Sequence, residues 1–286
     1  MEKMAENSTY IKRLLETKQC KGGDLTNANL SGSELSGAEL GGAKLLFVNL
    51  NGANLSGANL SGANLCFANL VATDLSGVNL KGADAQGSNL FDAKLNGSNL
   101  SGIDLSFANL VSSDLSETNL SGANLSNVNL AGANLAGANL SGTNLNGANL
   151  GGSHLVGAKL LSADLNDARL VNADLSRANL SSSDFNSANL SHTNLMHANL
   201  SNANLANTNL SNANLSNANL SGADLSHANL NNTNLTNAIL IGVNLKGINL
   251  ATVNLTNAKL DNAIDTYSET QPLIHTNNTS IPVHAF

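Results

Sequence analysis

Leucine recurs at every fifth position from Leu25 to Leu260, interrupted only by Ala85 and Phe185, so that 48 five-residue units follow one another without an insertion. With the leucine as position i, position i−2 is mostly small, i−1 is usually Asn or Asp, i+1 is often Ser, and i+2 is mostly Gly or Asn. A period of five fits neither the 3.6 of an α-helix nor the 2.0 of a plain strand. The unit does contain a short alternation, in which i−2 and i point inward together. The two outward positions that follow break it, and Gly or Asn at i+2 supplies the positive φ that a turn requires. Each unit is therefore predicted to be a very short strand and a corner. Tandem units then wind the chain around a closed, leucine-lined axis, with each coil hydrogen-bonded to the next at about 4.8 Å. The expected fold is an all-β solenoid.

Units such as Ala53-Asn54-Leu55-Ser56-Gly57 resemble the pentapeptide repeat family, and the resemblance covers residues 24 to 260. It implies a right-handed, four-sided β-helix with four units per coil. Twenty-residue coils would give about 12 coils and a rod of roughly 55 to 60 Å. The expected organisation is a leader with a capping helix over residues 1–23, the β-helix over 24–263, and a tail over 264–286.

In the leader, Ile11, Leu14 and Leu15 stand at helical spacing behind Ser8, which is predicted to cap a short helix over the first coil. The run Arg13-Leu14-Leu15-Glu16-Thr17-Lys18-Gln19-Cys20 is similar to the leader of cyanobacterial members of the family, which often carry a second cysteine near the place of Gly23 here. The tail holds both prolines of the chain and many Thr and Asn, so disorder is expected there. No comparable cap follows the last coil. Its open edge is left for the tail near Ile264 or for a second copy in an end-to-end homodimer.

Composition narrows the function classes. Only 3% of residues are aromatic and 12% charged, and the net charge of −7 argues against direct nucleic-acid binding, which needs Lys and Arg to neutralise phosphates. No signal peptide and no apolar run long enough to cross a bilayer is read from the sequence, so a soluble, cytoplasmic protein is expected. Cys20 and Cys66 form neither a disulfide framework nor a zinc site, and among the six histidines, His154, His192, His197, His227, His275 and His284, the three at His192, His197 and His227 fall on different corners and do not converge. The chain is read as no enzyme, with no cofactor and no metal.

Two surface features remain. With 20-residue coils, Phe47, Phe67, Gly87 and Phe107 share one corner, and Val71, Phe91 and Val111 line the other side of the same face, framing Asn69, Asn89 and Asn109. A bulky residue at φ > 0 costs on the order of 1 kcal/mol, so the fold alone gains little from these phenylalanines. Gly87 is expected to leave a gap between Phe67 and Phe107, about 9.6 Å apart at twice the coil spacing, wide enough for a partner's flat side chain. This points to a protein-interaction scaffold with Phe47, Phe67, Phe91 and Phe107 as anchors for an unidentified protein partner. The second feature is Asp at i−1, found at Asp24, Asp74, Asp84, Asp104, Asp114, Asp164, Asp174, Asp184 and Asp224 on alternate units only, which puts it on two opposite faces. Some members of the resembled family present an acidic rod that mimics duplex DNA and bind DNA gyrase, and these faces are the candidate for such a role. A third reading is a spacer with no specific face.

Overall fold

The computed structural model describes residues 2–264. Helix α1 (Glu2–Thr17) is followed by a ladder of single-residue parallel bridges. Each bridge joins an i−1 residue to the one twenty positions on, from Gln19↔Glu39 through Asn69↔Asn89 to Asn244↔Ile264. Four units therefore separate stacked positions. The hydrogen bonds repeat with the same step: Leu50 N–H donates to the Asn69 carbonyl at 2.8 Å, and Asn69 N–H donates to the Val48 carbonyl at 2.9 Å. Within each corner the i−2 amide closes a turn onto the preceding leucine, as Ala53 N–H does onto the Leu50 carbonyl at 2.9 Å.

The leucines fill the axis and are almost all buried, with Ala85 and Phe185 buried in the same register. Where i−2 is a buried Thr or Ser, its hydroxyl donates to a carbonyl inside the wall, as Thr73 Oγ1 does to Leu50 O at 2.9 Å. Buried hydroxyls of this kind cost nothing unsatisfied.

Position i+2 has a positive φ at every corner from Gly22 to Asn262 except Thr252. β-Branched residues tolerate this region least. At Thr252 the corner is reshaped: its Oγ1 accepts the Asn232 N–H at 3.2 Å in place of a backbone carbonyl, and the bridge between Asn229 and Asn249 is missing from the ladder. The Asn or Asp at i−1 does two jobs. Its Oδ1 accepts the i+1 amide, as in Ser61 N–H to Asn59 at 3.1 Å, an Asx turn that starts the corner. An Asn also donates its amide to the coil before, as Asn69 does to Asn49 Oδ1 at 3.0 Å.

At the N-terminus, α1 begins at Glu2, so Ser8 lies inside the helix and is not its cap. Leu14 is fully buried, and Tyr10 and Ile11 pack against the core, whereas Leu15 is exposed because the core-facing stripe is only one side wide. Lys18, at φ 61°, ends the helix with its N–H on the Leu14 carbonyl at 2.9 Å. Cys20 then takes the leucine register one unit before Leu25, and the ladder starts at Gln19. A side chain at Gly23 would collide with Cys20 Sγ, and both cysteines are free thiols. At the other end Leu250, Leu255 and Leu260 are only half-buried. The expected disordered tail beyond Ile264 lies outside the described residues.

Candidate interaction face

The twenty-residue step places Phe47, Phe67, Gly87 and Phe107 in one column, since each follows a face whose residues are bridged in register. The three phenylalanines take the left-handed corner conformation, at φ 55°, 54° and 60°. They and Phe91 are between 42% and 64% exposed, the largest aromatic surface among the described residues. Phe47 and Phe67 stack on each other with ring centroids 5.4 Å apart and planes at 16°. The gap expected above Gly87 is closed. The Phe67 ring leans toward the following coil and lies over Gly87, where a methyl group would stand 2.6 Å from Cε1 of Phe67. Glycine is what lets the ring settle there, and Phe107 remains a separate, unstacked anchor.

Between the two apolar columns, the amide ladder is occupied internally except at Nδ2 of Asn89, which donates to no described residue. Asn109 donates to Asn89 Oδ1 at 2.9 Å, while Asn69, Asn89 and Asn109 accept the amides of Val71, Phe91 and Val111 at 3.4, 3.2 and 3.3 Å. Val71 and Val111 are half-buried, and Asn89 is more exposed than Asn69. One residue of this corner escaped the sequence reading. Cys66 sits beside Phe67, buried against Asp84, and burial followed by the hydrogen bond and charge of Asp84 pushes its thiol up to about 11. It is therefore a protonated packing group rather than a nucleophile. Its signal was adjacency to Phe67 at an i+1 position that is most often Ser.

The aspartates fall in two columns of the ladder, and each replaces Asn as the acceptor of a corner. Asp74, Asp84, Asp104 and Asp114 accept the amides of Ser76, Gln86, Ser106 and Ser116, and Asp164, Asp174 and Asp184 those of Asn166, Ser176 and Asn186. Asn124, Asn134, Asn194 and Asn204 of the following coil donate to Asp104, Asp114, Asp174 and Asp184. Asp84 and Asp104 are bridged neighbours, as are Asp164 and Asp184, but Lys44, Lys94 and His154 interrupt the same two columns. The Ser76 hydroxyl and amide, with the Lys94 charge, hold Asp74 below the usual carboxylate range despite partial burial. For Asp104, burial pushes upward, but the Ser106 hydroxyl and amide and the Asn124 amide together leave it lowered.

Among the described residues, His154, His192, His197 and His227 lie apart, and no group of three or more His, Cys, Asp or Glu side chains is placed to hold a metal ion. His275 and His284 lie outside the described residues. No described helix is long and apolar enough to cross a membrane.

Comparison with known proteins agrees with this architecture. The pentapeptide repeats family matches in eight copies, at residues 24–62, 49–86, 58–97, 88–127, 123–160, 163–202, 193–232 and 228–264. Among solved structures, the chain is similar to HetL, a pentapeptide repeat protein involved in heterocyst differentiation regulation from the cyanobacterium Nostoc sp. strain PCC 7120. The two share 38% identity over 68% of this chain and 86% of HetL, with a TM-score of 0.62. QnrB1, a plasmid-mediated fluoroquinolone resistance protein, shares the fold at 22% identity over 62% of this chain and 90% of its own, with a TM-score of 0.51. No curated protein matches the chain.

Proposed function

The chain belongs to the pentapeptide repeat family, and from that premise we propose that it is a non-enzymatic scaffold that binds a protein partner through the face centred on Asn69 and Asn89. A right-handed, four-sided course of about 12 coils is the form in which we place this face. The observation that carries the reading is the exposure of Phe47, Phe67, Phe91 and Phe107 around one face of a chain with six phenylalanines in all. Three of them occupy corners where a bulky residue is conformationally disfavoured, and they leave apolar surface in water. Exposed aromatic anchors around a rigid platform are the usual centre of a binding surface.

An affinity pulldown from source-cell lysate tests this, comparing the native chain with the Phe47→Gly, Phe67→Gly, Phe107→Gly triple variant. Glycine is already common at these corners, so the variant is expected to keep its β spectrum. Loss of a specific partner supports the reading, and an identical partner set overturns it. The acidic faces favour a second reading, a decoy for a DNA-handling enzyme such as gyrase. It requires inhibition of supercoiling that is lost in Asp104→Asn with Asp114→Asn. The interruption of both columns by Lys44, Lys94 and His154 weighs against it.

A further inference from the structure

The face around Asn69 also limits what its partner is made of. Its backbone offers nothing, because the ladder consumes it: Leu70 N–H donates to Asn89 O at 2.7 Å, Asn89 N–H to Ala68 O at 2.9 Å, and Asn109 N–H to Ser88 O at 2.9 Å. The Asn side chains are committed to one another and to the corner amides, except for the exposed Nδ2 of Asn89, a single donor that cannot by itself seat an extended strand. A partner in extended conformation would find no edge on which to add a strand. A sugar ring would find the Phe47 and Phe67 faces turned toward each other.

What remains is a pair of apolar rails running along the rod. One is formed by Phe47, Phe67 and Phe107, the other by Val71, Phe91 and Val111. The rails are four residues apart along the chain, at most about 13 Å, and the rungs recur at about 4.8 Å. An α-helix with side chains is about 10–12 Å across and presents a turn every 5.4 Å, and its own backbone is already hydrogen-bonded. Carboxylates stand on both sides of the rails. Asp84 and Asp104 lie on the face before the Phe67 corner, and Asp92 lies on the corner beside Phe91, with Asp74 and Asp114 beyond it around Lys94.

Building on the reading of this face as a binding surface, we infer that its occupant is a basic amphipathic helix of a partner protein, laid along the rod. Its apolar stripe meets the rails, and its Lys and Arg flanks meet the aspartates.

Fluorescence anisotropy with three labelled peptides of about 18 residues tests this, long enough for a helix to span four rungs. One carries a Leu stripe with Lys and Arg flanks, the second the same stripe with Glu flanks, and the third the basic composition scrambled so that no stripe forms. The basic amphipathic peptide is expected to bind the full chain at least about tenfold tighter than either control, and Phe67→Gly with Phe107→Gly to weaken it about tenfold. Asp84→Asn, Asp92→Asn and Asp104→Asn together, or a rise from roughly 50 to 300 mM salt, should weaken it about three- to tenfold. Asn suits both the ladder and the positive-φ corner, so these variants retain the fold. Equal binding of the scrambled or the acidic peptide, or indifference to the Phe substitutions, overturns the inference. If the basic helix fails while the lysate partner is still lost from the triple variant, the helix falls and the interaction face stands. If both fail, the interaction face falls as well.

Discussion

The corners of residues 22–157 and those of residues 162–217 share one backbone and one leucine core and differ in the residue at i+2. In the first segment glycine predominates at i+2 and φ runs from 52° to 68°; in the second every such residue is Ser, Asp, Asn, Arg or His and φ runs from 54° to 61°. Glycine is therefore not what makes the corner. The interlocked hydrogen bonds to the neighbouring coils impose the conformation, and the residue there is free to write the surface. The first segment leaves most corners bare and places three phenylalanines among them. Farther along, corner side chains tie coils together, as Asn237 does by donating to Asn217 Oδ1 at 3.4 Å.

If the core is common to both segments, Leu100→Ala and Leu200→Ala should destabilise by the same amount, about 2–5 kcal/mol each, in denaturant titrations. A clear difference between them would break the comparison at its root. A smaller effect, about 1–2 kcal/mol, is expected for Gly142→Val and Ser182→Val, because a branched Cβ opposes positive φ in either segment. Gly142→Asn should cost less than about 0.5 kcal/mol if the ladder rather than glycine holds the corner. The smallest expected effect belongs to the first segment alone. Asp74 and Asp104 are lowered in the folded chain, so the stability they contribute is complete above the ordinary carboxylate pKa near 3.9 and is lost as pH falls through their folded values. Asp74→Asn with Asp104→Asn should flatten that acid limb in unfolding curves taken between neutral pH and about pH 2.

The period of five made the core, the corners and the column of phenylalanines legible in the sequence, because a fixed step turns spacing directly into stacking. The deviations were decided by contacts that spacing does not express. Cys20 was hidden from the leucine pattern although it occupies the same register, buried beneath α1. The start of α1 at Glu2 overrode the capping signal of Ser8, since Ser also sits without difficulty inside a helix. The gap expected at Gly87 ignored the direction in which corner side chains lean, which Phe67, Glu117, Asn127, Asn202 and His227 all share in lying over the glycine one coil on. Thr252 kept its place in the repeat but not the corner conformation, because its branched Cβ resists what Asn accepts.

The constant twenty-residue step between bridged positions has a mechanical consequence. Every wall contact joins a residue to one a single coil away, so tension on the chain ends opens one coil at a time and never shears the whole wall at once. Each event should release a fixed length, about 65–70 Å for twenty residues drawn straight. With α1 sealing the first coil and Leu250, Leu255 and Leu260 half-buried at the last, the rod should unravel from its C-terminal end as a ratchet of equal steps.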